Sequence, residues 1–122
     1  LKLYKIYKQL ILENNATANN ISNAIHSKRV LVIDYENDGN NQSGRRTIEP
    51  YCLGKTKKSL NALRAYQTSG VTSTSQPDWK IFLLNNIKSI EILDTEFEPN
   101  RQGFNPNGDN SFQNIYLIVN NE

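Results

Sequence analysis

Two side chains in this sequence have the type and spacing to hold an anion. Arg64 and Tyr66 lie two residues apart in the run Leu63-Arg64-Ala65-Tyr66-Gln67-Thr68-Ser69-Gly70. In an extended strand that spacing puts both on one face with Ala62, while Leu63, Ala65 and Gln67 take the other. A guanidinium is a planar fork that grips phosphate by two hydrogen bonds, and a phenol ring offers a base a stacking surface. The competing use of Arg64 is an ion pair across the sheet with Glu49 or another acid. Five more cations, Arg45, Arg46, Lys55, Lys57 and Lys58, read as a solvated basic rim. With the second and third strands paired as a hairpin, this rim borders the Arg64 face and steers an anion toward it, an effect that salt weakens.

Catalysis is not expected. The chain has no glycine-rich phosphate loop, and its one histidine, His26, belongs to no Ser-His-Asp motif. Asp94, Glu96 and Glu98 could pair as acid and base, but their acidic, Pro-containing segment reads as a solvated loop. Cys52, between Tyr51 and Leu53, reads as a buried, inert thiol. With one histidine and one distant cysteine, no metal site is expected, and no cofactor; His26 reads as a surface or helix-end residue.

The chain has 122 residues and is 37% hydrophobic, enough for one domain and one core. Its net charge of +2 hides a division. Residues 45–64 carry six basic groups against Glu49, and residues 91–122 carry six acids against Arg101. A chain so divided can hold an anion on one face without sticking to every polyanion. A single cysteine excludes an internal disulfide and fits the cytosol. No signal peptide or membrane span is read: apolar runs reach about five residues, against roughly 20 for a spanning helix.

The elements that would position these groups follow from periodicity. Leu3, Ile6, Tyr7, Leu10 and Ile11 form a helical stripe over residues 2–13, with Lys2, Lys5 and Lys8 pointing away. That helix packs on its own domain or a neighbouring copy; the competing reading lays it on a membrane or nucleic acid. A second helix is predicted over Asn19–Ser27, burying Ile21, Ala24 and Ile25. Strands are predicted at Val30–Tyr35, Arg46–Leu53, Leu60–Gln67, Trp79–Leu84 and Ile87–Leu93. Pro50 cannot donate to a ladder and so marks a bend or an edge. Trp79, Ile81 and Leu83 share a face opposite Lys80, Phe82 and Leu84, and Trp79 reads as core. Ile115–Val119 is a last short strand or helix. Short apolar runs punctuated by Gly, Lys, Ser and Asn predict an α+β, mainly β, small barrel of about five strands with N-terminal helices. The expected organisation is a helix and linker at 1–18, a barrel at 19–97 and a polar extension at 98–122.

Ala24-Ile25, Ile33-Asp34-Tyr35, Ile48-Glu49-Pro50-Tyr51, Leu63-Arg64-Ala65-Tyr66-Gln67, Trp79-Lys80-Ile81-Phe82 and Ile87-Lys88-Ser89-Ile90 together resemble a WYL domain over residues 20–97. The resemblance implies an SH3-like (Sm-like) barrel with an N-terminal helix. It also implies a ligand-sensing role of the kind found in bacterial transcription regulators, defence-associated proteins and phage proteins. There, basic and aromatic residues on the barrel face meet nucleotides or nucleic-acid strands, and Arg64, Tyr66 and Lys80 match that set. The chain departs from the pattern too. The tripeptide that names the family falls at Asn61-Ala62-Leu63, and Leu83 and Asn86 stand where cations are common. Residues 1–20 are too short for the winged helix that usually precedes the domain.

Two functions follow as expectations. One is a non-enzymatic module binding a nucleotide or single-stranded nucleic acid through Arg64, Tyr66 and Lys80, in regulation or phage–host conflict within a bacterial cytoplasm. The other is a structural or protein-interaction component, such as a phage virion protein, that kept the barrel and lost the ligand. Either can self-associate through residues 2–13.

Overall fold

The computed structural model describes residues 16–36, 43–71 and 78–120. The amphipathic stripe at 2–13, the turn at 38–41 and residues 72–77 of the loop before Trp79 lie outside them. Helix α1 covers residues 16–27. Ala18, Ile21, Ala24 and Ile25 are buried at helical spacing, and His26 is exposed at the C-terminal end. Lys28, with φ 56°, turns the chain left-handed and ends the helix.

Among the described residues six strands follow: β1 (Arg29–Tyr35), β2 (Gly44–Thr56), β3 (Asn61–Gly70), β4 (Asp78–Leu83), β5 (Ile87–Glu96) and β6 (Phe112–Ile118). All pairings are antiparallel, in the order β4-β3-β2-β1-β5, with β6 also paired to β2. β2 is the spine. One of its edges pairs with β1 through Ile48 and then with β6 from Cys52 onward. Pro50 falls in the gap between those two ladders, where the missing N–H costs nothing, and the β3 register shifts just after it. β6 closes tightly on Gly54, where a Cβ would lie 2.4 Å from the Asn114 carbonyl oxygen.

Among the described residues the expected closed barrel is not formed. β4 and β5, the two ends of the path, are joined covalently through one 3-10 turn at Leu84–Asn86, but no ladder pairs them. The alternation that marks strands and their faces says nothing about the stagger that closes a sheet. The main core gathers Ile21 and Ile25 of α1 with Leu31, Ile33, Ile48, Leu53, Leu63 and Phe82 of the sheet.

The basic rim divides. Arg45 and Arg46 sit at the Gly70 end of the β2–β3 hairpin, and Lys55, Lys57 and Lys58 at its opposite, turn end. Arg46 is not solvated: it is 5% exposed. Period two places it on the inward face with Ile48, its guanidinium 5.1 Å from the Tyr35 ring centroid and 5.6 Å from that of Phe82. Burial lowers its pKa. Arg45 points outward, 3.5 Å from the Asp34 carboxylate.

Candidate ligand site

Cross-strand register decides which side chains meet. Arg64 lies opposite Cys52 on β2 and Ile81 on β4; Tyr66 lies opposite Glu49 and Trp79. These residues share a face. Lys80 lies opposite Ala65, so it alternates to the other face with Phe82, away from Arg64.

A strap of chain between β5 and β6 crosses the Arg64 face and is fastened along its length. The Arg101 guanidinium donates to both Glu49 carboxylate oxygens at 2.9 Å. Trp79 Nε1 donates to the Gln102 carbonyl at 2.8 Å. Arg64 Nε donates to Asp109 Oδ2 at 2.8 Å, and its Nη2 to Ser111 Oγ at 2.9 Å. Gly103 is required where the strap meets the indole: its φ is +98°, and a Cβ there would lie 2.9 Å from Trp79 Nε1. Asn105 then turns the chain back, its Oδ1 accepting from the Asn107 N–H at 2.9 Å.

Burial works to raise the Asp109 carboxyl, but the Arg64 and Ser111 hydrogen bonds outweigh it and hold the group below its ordinary value. Burial pushes the Cys52 thiol up to about 12, aided by the nearby Asp109 charge, so it stays protonated as its apolar setting suggested. Burial likewise raises Tyr51 to about 12.

Between the strap and the β2–β3–β4 face lies a cavity of about 310 Å³. Tyr51, Trp79 and Phe104 supply aromatic walls, Arg64 and Asp109 an ion pair, and Asn105 and Asn110 lie along the strap side. The three rings form one edge-to-face cluster, with Tyr51 centred 4.7 Å from Trp79 and 4.8 Å from Phe104.

Of the residues singled out from sequence, Arg64 lines the cavity. Its guanidinium does not stand free for a ligand: it is partly buried and gripped by an acid 45 residues away. Glu49, the acid foreseen for that pairing, belongs to Arg101. Tyr66 sits behind the cavity, edge-on to Trp79 at 5.2 Å and with the Arg101 guanidinium 4.5 Å from its ring centroid. Trp79 packs on the core as expected, yet it is half-buried and also forms cavity wall. Sequence reasoning missed Arg101, Asp109 and Ser111. The sequence around them, Phe104-Asn105-Pro106-Asn107-Gly108-Asp109, is turn-rich but names no partner for Asp109.

A family model described as the WYL domain matches residues 16–92. The match stops short of the strap, so Arg101 and Asp109 lie beyond it. No curated protein matches the chain by sequence. Among solved structures, Proteasome accessory factor B/C (PafBC) of Arthrobacter aurescens is similar with a TM-score of 0.61 and 19% sequence identity. The similarity covers 76% of this chain but only 14% of that one, and at this identity it is a likeness of fold.

Proposed function

This chain belongs to the WYL domain family, and from that premise we propose that it is a non-enzymatic ligand-sensing module for a nucleotide or a single strand of nucleic acid, serving transcription regulation or phage–host conflict in a bacterial cytoplasm. The observation that carries this reading is the cavity of about 310 Å³ between Arg64 and the Tyr51–Trp79–Phe104 cluster. Small ligands bind in concave sites where aromatic walls meet a few convergent polar groups, and this cavity has both. Arg64 contacts the ligand, Trp79 presents ring surface to it, and Tyr66 holds the indole from behind. Lys80, Arg45, Lys55, Lys57 and Lys58 act at longer range through their field.

The test is a titration at low salt with mononucleotides and short single strands, followed by emission of Trp79, the one tryptophan in the chain. Arg64→Ala is expected to weaken binding by about tenfold or more. Absence of binding, or binding indifferent to Arg64→Ala, removes the proposal.

A second reading is favoured by the Arg64–Asp109 pair itself. In it the guanidinium is a clasp for the strap, and the domain is a structural or interaction component, such as a phage accessory protein. Arg64→Ala then lowers stability with no ligand to lose.

A further inference from the structure

We infer that the cavity takes an uncharged planar heteroaromatic ring of the nucleobase kind, and that any phosphate attached to it stays outside. This rests on the reading of the cavity as the ligand site and specifies which part of the ligand enters. Among the described residues that line it, the wall carries one cation and one carboxylate, bonded to each other at 2.8 Å with side chains 24% and 16% exposed. The wall is therefore electrically compensated. A phosphate entering beside Asp109 meets a poorly hydrated like charge. To displace that carboxylate it must also break the Ser111 N–H bond to Asp109 Oδ1, 2.9 Å.

What the wall still offers suits a neutral ring. Arg64 spends Nε and Nη2 on the strap, while Nη1 has no hydrogen-bond partner among the described residues. A guanidinium edge of this kind pairs with the ring-nitrogen or carbonyl acceptors of a base. Asn105 and Asn110 line it too, and an asparagine amide can donate as well as accept, although Asn105 Oδ1 already accepts from the Asn107 N–H. Tyr51, Trp79 and Phe104 supply ring surface. The volume, about 310 Å³, is near twice that of the roughly 150 Å³ cavity that admits benzene, and at the small end of ligand cavities. That is room for one base with its sugar, not for an oligonucleotide. Lys55, Lys57 and Lys58, the nearest run of cations in sequence, line none of it.

The experiment compares the four common nucleosides with their 5′-monophosphates, by calorimetry and Trp79 emission, at about 50 and about 500 mM salt. The expected result is that at least one nucleoside binds, that its monophosphate binds no more than about threefold tighter, and that salt changes the nucleoside affinity by less than about twofold. A monophosphate preference above about tenfold that collapses in high salt overturns the inference and leaves the proposed function standing. Failure of every nucleoside, nucleotide and short single strand to bind overturns both. Asp109→Asn supplies a second arm. With Arg64 no longer compensated, the preference for monophosphate over nucleoside is expected to rise by about tenfold. An unchanged preference in folded Asp109→Asn protein overturns the compensation argument, and the wild-type comparison decides the matter should that variant not fold.

Discussion

Arg64 and Asp109 are partly buried partners, and each is placed by the other. Removing one leaves a charge in a site where water does not fully replace its partner. Arg64→Ala or Asp109→Asn is therefore expected to cost about 1–3 kcal/mol, less than a fully buried pair because both side chains keep some solvent. Urea unfolding of the two single variants and of the double variant measures it, and the double variant is expected to lose less than the sum. The pH dependence follows in sign. The folded-state pKa of Asp109 lies below its unfolded value. Its contribution is thus complete above the ordinary carboxylate range, near pH 4, and is lost as pH falls through the folded value. Asp109→Asn should flatten that part of the acid limb, and an acid limb identical to the wild type would contradict the assignment.

At the scale of elements, the strap is a segment without regular structure made specific by its fastenings. Glu49 is 7% exposed and its two oxygens are engaged by Arg101. The Glu49 hydrogen bonds, the largest influence on Arg101, raise its pKa. Arg101→Ala leaves that carboxylate buried with one partner fewer and removes the cation over Tyr66. The strap is expected to open more often, with limited proteolysis within residues 103–110 accelerated several-fold and Trp79 emission shifted to the red. Hydrogen exchange in the β1–β5 ladder should not change, because the hydrogen bonds and ring contact of Arg101 fall on β2 and β3. Equal acceleration in both regions would mean that the strap and the sheet open together.

At the scale of the molecule, α1, the sheet and the strap share one core, since Phe97, Phe104 and Val119 pack in the same cluster as Ile21, Leu31 and Phe82. Unfolding followed by Trp79 emission is therefore expected to coincide with loss of far-ultraviolet ellipticity in a single transition; two separated midpoints would show the strap melting apart from the sheet. Much of this arrangement was legible in the sequence. The period of Ile21, Ala24 and Ile25 marked the helix, and the alternation around Leu63, Ala65 and Gln67 marked a strand and its faces. Pro50 marked an irregularity, expected as a bend or an edge; the structure puts it inside the central strand, in the gap between the β1 and β6 ladders. Such signals are local: a side chain two or four residues from another has its direction set by the backbone geometry. Three decisions lay beyond them. Arg46 turned inward among aromatic rings, the sheet stayed open, and Arg64 met Asp109 while Glu49 met Arg101, across 45 and 52 residues. Each depends on which strand lies against which and in what register. Tertiary packing sets that by burying the whole apolar set at once, so only the folded chain could show that the cation expected to await a ligand already holds a carboxylate.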